Sequence, residues 1–279
     1  MQKVAIQGFE GSYHDQATRL FFGDAVEIVP CDTFKALVET VKMNPEILGV
    51  IAIENTIAGS LLQNYNLIRD NTLTIVGEHK LRIKHSFAVL PGQTPKDITE
   101  VRSHYMALLQ CEEFLSQYPW LRLVGSDDTA KSAFEIAQQK LTGVAAICSA
   151  NSARKFGLEV LADSIETNKH NFTRFLMIAN VKKGWHYAKK EECNKASLVF
   201  SLPHEKGSLS KVLTILSFYN INLTKIQSLP IVGQEWEYLF YIDVLFDDYH
   251  RYQQSLEAIR PLTSNIKILG EYKEGSQTI

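Results

Sequence analysis

Four loops follow predicted strands, lead into predicted helices, and are rich in small hydroxyl and amide side chains. They cover residues 8–13, 54–60, 103–104 and 126–129. Backbone N–H groups at a helix start, hydroxyl donors and the positive end of the helix dipole together suit a carboxylate or a phosphate. Ordinary helix capping by Ser, Thr and Asp explains each loop taken alone. Four such loops in one chain favour an anion-binding cleft.

A fifth polar segment, Asn171-Phe172-Thr173-Arg174-Phe175, leads into a predicted strand over 175–178. A hydroxyl and a guanidinium side by side could serve a polar cleft. The alternative is an ordinary strand start with an outward arginine, because strands favour Thr in any case. Both interpretations stay open at this point.

Nucleotide and metal sites have no counterpart in the sequence. Residues 8–11 lack both the Gly-Lys-Ser/Thr ending of a Walker loop and the third glycine of a dinucleotide fingerprint. The eight histidines and four cysteines show neither an H-E-x-x-H nor a C-x-x-C spacing. We therefore expect no nucleotide and no metal, and we expect the four cysteines to be reduced core thiols.

Short apolar runs alternate with amphipathic helices through the first third of the chain. The pattern predicts strands over 4–6, 26–29 and 50–53, a helix over 13–22 capped by Ser12, and a helix from Thr33 capped by Asp32. This βαβαβ order indicates a mainly parallel sheet with helices on both faces. Ligands of such sheets bind beyond the carboxyl ends of the strands.

Two extended runs within residues 73–90 lead into a second αβ series. Its predicted strands lie at 101, 121–124 and 144–148, its predicted helices at 107–116, 129–139 and up to Phe156, and the strand over 175–178 closes it. Two αβ lobes joined by crossing segments form a clamshell with the cleft between them. We therefore predict a two-lobed, periplasmic-binding-protein-like α/β domain over residues 1–180.

The last third of the chain has a different organisation. Residues 181–195 are polar and charged and indicate a linker. Residues 196–279 then show the order βαββαβ, which predicts a ferredoxin-like domain that is prone to pair with a copy of itself. A homodimer or a homotetramer is the expected assembly.

Composition limits the class of protein. Apolar residues make up 45% and charged residues 22%, which is typical of a globular protein, and the formal net charge is -2. This charge creates no global field that would attract nucleic acid or an anionic membrane. We expect no secretion signal, because residues 1–6 enter a strand-like apolar run with no basic region before it, and no apolar run reaches about 20 residues. We expect a cytoplasmic protein with a small-molecule partner.

These motifs together resemble the prephenate dehydratases. The matching stretches in the first part are residues 8–13, 53–60, 101–111, 128–130 and 171–175. In the last third, residues 207–213 and 221–226 resemble an ACT regulatory domain. The resemblance implies a catalytic domain followed by an ACT domain, with the order and spacing of the motifs more specific than any one of them.

The resemblance implies a reaction and roles for particular residues. The reaction is the cofactor-free decarboxylating dehydration of prephenate to phenylpyruvate, on the route to phenylalanine. Thr173 would donate a hydrogen bond or proton to the departing hydroxyl. Polar catalytic positions of the family match Asn55, Ser103 and Gln110, and further substrate contacts are expected from Ser12, Thr56, Ser60, Thr129 and Arg174.

The resemblance also implies feedback inhibition by L-phenylalanine bound to the ACT domain. The residues expected to bind it are Gly207, Ser208, Leu209, Asn222, Leu223 and Gln227. The chain departs from the family at residues 227–230, where Gln-Ser-Leu-Pro replaces Glu-Ser-Arg-Pro. It also departs at His14, Tyr105 and Met106, which bear on the rim of the cleft and on substrate preference.

Two other functions stay open on the sequence. Arogenate dehydratases share the same motifs, so the substrate could be arogenate in place of prephenate. A clamshell of two lobes also suits a non-catalytic small-molecule sensor, since a fold does not determine a function.

Overall fold

Three β-sheets organise the chain, which the computed structural model describes over residues 1–183, 190–231 and 237–278. Up to residue 183 the elements are β1 (Gln2–Gln7), α1 (Tyr13–Phe22), β2 (Val26–Cys31), α2 (Phe34–Met43), β3 (Leu48–Asn55), β4 (Gly59–Ser60), α3 (Leu62–Arg69), β5 (Leu73–Arg82), β6 (Ser86–Val89), β7 (Glu100–His104), α4 (Tyr105–Gln110), α5 (Glu112–Leu115), β8 (Arg122–Ser126), α6 (Thr129–Gln139), β9 (Val144–Cys148), α7 (Ala150–Lys155), β10 (Glu159–Ala162) and β11 (Phe172–Asn180). The later elements are β12 (Lys195–Ser201), α8 (Ser208–Phe218), β13 (Asn222–Pro230), β14 (Tyr238–Leu245), α9 (Tyr249–Ile259), β15 (Ser264–Tyr272) and β16 (Gln277–Thr278).

The first lobe is a seven-stranded sheet in the order β16-β5-β11-β3-β1-β2, with β4 paired to β3. β1, β2 and β3 are parallel, and β11 runs antiparallel to both of its neighbours, β3 and β5. The central strand β3 is buried from Leu48 to Ile53 because helices cover both faces of the sheet. Helix α2 is capped by Thr33, whose hydroxyl accepts the N–H of Ala36, and the predicted cap at Asp32 is therefore wrong by one residue.

The second lobe is a five-stranded sheet in the order β10-β6-β9-β7-β8. The single helix predicted over 107–116 is divided into α4 and α5 at Cys111. The division has a visible cause, since the carbonyl of Gln110 accepts the N–H of Thr167 at 2.8 Å from a neighbouring segment. Cys111 and Cys148 are buried in this lobe, and burial raises the pKa of each thiol to about 12.

The chain passes between the lobes twice, at residues 83–85 and at residues 163–171. Backbone hydrogen bonds join these two crossing segments, from the N–H of Ile83 to the carbonyl of Asn171 and from the N–H of Ile165 to the carbonyl of His85, both 2.8 Å long. The N–H of His85 also binds the carboxylate of Glu166 at 2.9 Å. The predicted two-lobed α/β fold is confirmed.

The C-terminal domain is a four-stranded sheet in the order β13-β14-β12-β15, with the predicted βαββαβ sequence of elements. Helices α8 and α9 cover one face, and the other face packs on the first lobe through Val199, Tyr241, Leu269 and Tyr272. The predicted linker lies partly outside the described residues. In the described ranges no helix is long and apolar enough to cross a membrane.

The end of the chain returns to the first lobe, which the sequence patterns did not predict. Strand β16 pairs in parallel with β5, and the N–H of Lys80 binds the carbonyl of Ser276 at 3.0 Å. Two glycines permit this approach. A Cβ atom on Gly270 would lie 2.2 Å from the carbonyl oxygen of Ile75, and one on Gly275 would lie 2.0 Å from that of Glu78.

Replacing Gly275 by alanine is expected to lower the free energy of unfolding by about 1–3 kcal/mol or more, because the new methyl group must push two backbones apart. Urea unfolding of the whole chain measures this. Gly125→Ala is the matched control, since a Cβ there meets no atom within 4 Å. Equal stability of the two variants would show that the returning segment is not held tightly against β5.

Candidate active site

A cleft of about 490 Å³ lies between the two lobes, where the loops after β1, β3, β7 and β8 meet the start of β11. This is the carboxyl edge of the parallel strands, as predicted for a sheet of this kind. Five of the predicted site residues line the cleft, namely Ser12, Asn55, Gln110, Thr129 and Thr173.

Thr173 and Asn55 form a cross-strand pair between β11 and β3 at the floor of the cleft. The Asn55 side-chain oxygen accepts the backbone N–H groups of Ile57 at 2.9 Å and Ala58 at 2.8 Å, so its amide nitrogen must point the other way. That nitrogen donates to the Thr173 hydroxyl oxygen at 3.0 Å. With its oxygen occupied as an acceptor, the O–H of Thr173 is left to donate to a ligand. The Thr173 residue as a whole is 9% exposed.

A chain of side-chain hydrogen bonds continues from Asn55 across the cleft. The Asn55 amide also donates to the Asn171 side-chain oxygen at 2.7 Å, and the Asn171 amide donates to Gln110 Oε1 at 3.0 Å. Gln110 Oε1 lies 2.9 Å from His85 Nε2, and His85 Nδ1 lies 2.8 Å from the Tyr13 hydroxyl. This chain includes one residue from each crossing segment. It therefore ties both lobes to the floor of the cleft.

Three members of the chain, Tyr13, His85 and Asn171, had no role in the sequence analysis. Tyr13 and Asn171 stand inside the motifs at residues 8–13 and 171–175, so their place beside polar positions was a usable signal. His85 follows a strand without a capping pattern or a ligand spacing, and its sequence context carried no signal. Only the crossing between lobes brings it to the cleft.

Two helix N-termini open onto the cleft. Ser12 caps α1, with its hydroxyl 3.4 Å from the N–H of Asp15. Thr129 is the first residue of α6, which is capped by the Asp128 carboxylate through the N–H of Lys131 at 2.8 Å. Burial raises the pKa of the Asp128 carboxyl. Backbone N–H groups at the two helix starts favour an anionic ligand group between them.

The residues that depart from the family pattern have distinct places. His14 lines the cleft, accepts the N–H of Ala52 at 3.3 Å and packs edge-on against the ring of Phe175. Burial lowers the pKa of His14 to about 3, so the ring is neutral. Met106 also lines the cleft, whereas Tyr105 is 62% exposed outside it.

The hydroxyl groups of two predicted site residues form hydrogen bonds with backbone groups and do not face the cleft. Ser103 is fully buried, and its hydroxyl donates to the carbonyl of Ile147 at 2.5 Å. The Thr56 hydroxyl donates to the carbonyl of His170 at 3.0 Å and accepts the N–H of Phe172 at 2.9 Å. Both hydroxyls stabilise the walls of the cleft, and neither residue lines it in this structure. The catalytic role expected of Ser103 and the substrate contact expected of Thr56 stay predictions.

Arg174 was predicted to bind substrate, but the structure places its side chain away from the cleft. Side chains alternate along a strand, so Arg174 points away from the cleft that Thr173 faces. Its Nε lies 2.6 Å from Glu78 and its Nη2 lies 3.1 Å from the Tyr272 hydroxyl, and its Nη1 forms an ion pair with Asp243. The guanidinium is thus enclosed between the first lobe and the C-terminal domain.

The surroundings of Arg174 form a charge-balanced buried cluster. Lys195 Nζ lies 2.7 Å from Glu78, and the Ser197 hydroxyl donates to Asp243 at 2.5 Å. Burial opposes the charged form of Glu78, but Arg174 and Lys195 hold the pKa of its carboxyl below its ordinary value. Two cations and two carboxylates therefore satisfy one another across the domain boundary.

A second contact between the domains accounts for Ser60. Lys225 on β13 places its Nζ 2.9 Å from the Glu54 carboxylate and 2.7 Å from the Ser60 hydroxyl. Ser60 therefore binds the C-terminal domain and does not line the cleft, and its expected substrate contact stays a prediction. Glu54 is the cross-strand partner of Arg174, directly beside the pair that forms the floor of the cleft.

The predicted phenylalanine-binding residues lie on two elements of the C-terminal domain. Three stand at the start of α8, where Gly207 has a φ of +80° and the Ser208 hydroxyl donates to the carbonyl of Glu205 at 3.0 Å. The others lie on β13, the edge strand of the sheet. These residues are Gly207, Ser208 and Leu209 on the first element, and Asn222, Leu223 and Gln227 on the second.

Comparisons with known proteins agree with this architecture. The sequence profile described as prephenate dehydratase matches residues 4–183. Arogenate dehydratase 2 of Petunia hybrida is 36% identical over 98% of this chain and 72% of the relative. Among solved structures, the quorum quenching acylase GqqA superimposes with a TM-score of 0.86 at 26% identity, covering 98% of both chains. Prephenate dehydratase of Arthrobacter aurescens in complex with L-Phe superimposes with a TM-score of 0.85 at 24% identity, covering 98% of this chain and 90% of that one. The chain belongs to the prephenate dehydratase family.

Proposed function

We propose that the chain converts prephenate into phenylpyruvate, carbon dioxide and water without a cofactor. The observation that carries this proposal is the orientation of Thr173. Its oxygen accepts a hydrogen bond from Asn55, and its O–H is directed by elimination toward a ligand in the cleft. A donor held in place before the reaction suits an oxygen that gains negative charge as it leaves.

The chemistry asks for positioning more than for strong acid catalysis. The bond between C1 and its carboxylate breaks, its electron pair enters the ring, and the bond between C4 and the hydroxyl oxygen breaks. The ring becomes aromatic, and the departing hydroxide takes a proton that solvent ultimately supplies. A threonine hydroxyl is a weak acid, so Thr173 acts mainly by stabilising the developing charge. The N-termini of α1 and α6 suit a substrate carboxylate.

Arogenate is the alternative substrate, and the name of the Petunia hybrida relative favours it. Arogenate carries an amine where prephenate carries a ketone, and its dehydration yields phenylalanine. The test compares kcat/KM of the purified chain for both compounds, with phenylpyruvate and phenylalanine measured separately. A higher value for prephenate supports the proposal, and a higher value for arogenate reverses the substrate assignment. Tight binding of either compound without product would indicate a sensor.

The similarity to GqqA raises acyl hydrolysis as a further candidate. A hydroxyl nucleophile needs a general base within hydrogen-bond reach. Among the described cleft residues, Thr173 faces the Asn55 amide, and both ring nitrogens of His85 are bonded to Tyr13 and Gln110. Among the described residues Thr173 therefore has no general base within hydrogen-bond reach, which favours the dehydratase over an acylase that uses Thr173 as its nucleophile.

We also propose that L-phenylalanine binds at the C-terminal domain, between paired copies of the chain, and inhibits the reaction. The complex of the Arthrobacter aurescens relative with L-Phe supports the ligand. Among the described strands, β13 has no partner on its outer edge, which suits contact with a second copy. Inhibition requires that phenylalanine bind two arrangements of the chain with different affinity.

Lys225 provides a route from β13 to the cleft. Its contact with Glu54 is one residue away from Asn55 in the chain. Lys225→Met is therefore expected to raise the phenylalanine concentration for half-inhibition by about 2- to 30-fold. Lys267→Met is the control, because Lys267 joins the same two domains at the carbonyl of Arg69. Equal inhibition of the Lys225 variant and the wild type would contradict this route.

A further inference from the structure

His85 occupies a special place in the hydrogen-bond chain of the cleft. It lies in the first crossing segment, is 2% exposed, and has a different partner at each ring nitrogen. The hydrogen bonds from Asn55 to Gln110 determine whether Nε2 carries a hydrogen. The hydrogen bonds of Tyr13 determine whether Nδ1 carries one.

The side that begins at Asn55 makes His85 Nε2 a donor. Two backbone N–H groups fix the orientation of the Asn55 amide, so its nitrogen donates to the Asn171 oxygen. The Asn171 nitrogen must then donate to Gln110 Oε1. Because Gln110 Oε1 can only accept, His85 Nε2 must carry a hydrogen at 2.9 Å from it.

The side that begins at Tyr13 makes His85 Nδ1 a donor as well. The Tyr13 hydroxyl oxygen lies 2.7 Å from the carbonyl oxygen of Lys84 and 2.8 Å from His85 Nδ1. A carbonyl only accepts, so the single hydroxyl hydrogen goes to Lys84 and the Tyr13 oxygen must accept from Nδ1. Burial raises the pKa of Tyr13 well above its ordinary value, so the hydroxyl keeps this hydrogen.

Only a doubly protonated ring satisfies both sides. If His85 is neutral with its hydrogen on Nε2, the Tyr13 hydroxyl can donate its one hydrogen either to the carbonyl of Lys84 or to Nδ1. The other of these two acceptors then lies close to the Tyr13 oxygen with no hydrogen between them. Burial opposes the second proton and lowers the pKa of His85. The groups that face the ring are the Tyr13 hydroxyl from α1, the Gln110 side chain from α4, and the Glu166 carboxylate from the second crossing segment. The hydrogen bond to Gln110 and the negative charge of Glu166 each raise the pKa of His85 and so oppose the effect of burial.

The charge of the groups in the cleft determines whether His85 gains its second proton. None of the described residues that line the cleft is Lys or Arg, and three of them are Asp32, Asp127 and Asp128. Burial keeps His14 neutral, and its Nε2 accepts a backbone N–H. Under the proposed function the substrate carries carboxylate groups. An anion in this cleft raises the pKa of the buried imidazole next to it.

We propose that His85 is a positioning residue that takes up one proton from solvent when the anionic substrate binds. The imidazolium then holds Gln110 by its oxygen and leaves the Gln110 N–H groups for the substrate. No bond to carbon forms or breaks at His85, and the proton returns to solvent after product release. This inference rests on the proposed function, because the anionic substrate supplies the charge.

The pH dependence of kcat/KM for prephenate tests the inference. The pKa of His85 in the empty cleft is below its ordinary value, so the ring must be protonated during binding at neutral pH. In the wild type kcat/KM is expected to fall by up to about tenfold per pH unit from pH about 6.5 upward, while kcat stays level over the same range. His85→Gln keeps one donor and one acceptor but cannot gain a proton. It is expected to lose the slope and about tenfold or more of kcat/KM near pH 6.5.

His104→Gln is the matched control, because His104 also lines the cleft but takes no part in the hydrogen-bond chain from Asn55 to Tyr13. It is expected to keep the fall of kcat/KM with rising pH.

Calorimetry with phenylpyruvate in two buffers of different ionisation enthalpy counts the protons directly. About one proton should be taken up per site by the wild type and none by His85→Gln. Tyr13→Phe, which keeps the imidazole but removes the hydroxyl, should take up less than the wild type.

Two results would overturn the inference while leaving the dehydratase intact. One is turnover by the wild type with a kcat/KM that does not change between pH about 6.5 and 8.5. The other is a slope or a proton uptake that survives in His85→Gln. Absence of turnover of both prephenate and arogenate at every pH would instead overturn the proposed function, and the inference with it.

Discussion

Replacing Thr173 by valine is expected to lower kcat for prephenate by about 10²–10³-fold, with a much smaller change in KM. Valine keeps the shape of the side chain and removes only the hydroxyl that accepts from Asn55 and donates into the cleft. The lost interaction forms mainly with the departing oxygen in the transition state. A fall in kcat with KM nearly constant is the kinetic result of such a loss.

Thr173→Ser is the matched control for this experiment, because serine retains a hydroxyl at the same position. We expect it to keep kcat within about tenfold of the wild type, since only a methyl group and some rotamer restriction are lost. Similar kcat values for the valine and serine variants would show that the hydroxyl does not contribute to the reaction. The cross-strand pair with Asn55 would then be structural.

Replacing Arg174 by methionine is expected to lower the free energy of unfolding by about 3–5 kcal/mol. Arg174 is 9% exposed and contacts Glu78 in its own lobe and Asp243 and Tyr272 across the domain boundary. Its removal leaves a buried carboxylate without a cation. Chemical denaturation followed by circular dichroism measures the loss.

A second replacement identifies the origin of that loss. Asp243→Asn in the Arg174→Met background leaves the Glu78 and Lys195 pair balanced, and we expect it to recover part of the stability. Arg174→Lys should fall between the wild type and the methionine variant, because an ammonium group cannot reach three partners in a plane. If Arg174→Met lowers the free energy of unfolding by less than about 1 kcal/mol, this cluster contributes no more than an exposed ion pair. That result would contradict a stabilising role of the cluster at the domain boundary.

Local patterns predicted most of the secondary structure. The βαβαβ start of the chain was readable because its strands are short apolar runs and its helices carry capping side chains, as at Ser12. The return of β16 to the first lobe was not readable, because a two-residue strand has no periodicity. Its pairing depends on Gly270 and Gly275, whose close approach to β5 exists only in three dimensions.

The site was predicted in part for a similar reason. The motif residues Asn55, Gln110 and Thr173 meet in the cleft as expected. A polar residue in a motif can equally serve the backbone, as Ser103 does, and sequence alone does not separate the two uses. The alternation of side chains along a strand puts Arg174 opposite Thr173, and the expectation that both residues serve the cleft did not take this into account. Its ionic partners are 69 and 96 residues away in the chain, beyond the range of any local pattern.

The most direct test of the central claim is the rate of phenylpyruvate formation from prephenate by the wild type and by Thr173→Val, measured side by side with a metal chelator and no added cofactor. We expect steady turnover by the wild type and a rate about 10²–10³-fold lower for the variant. Equal rates for the two proteins, or no phenylpyruvate from the wild type, would contradict it.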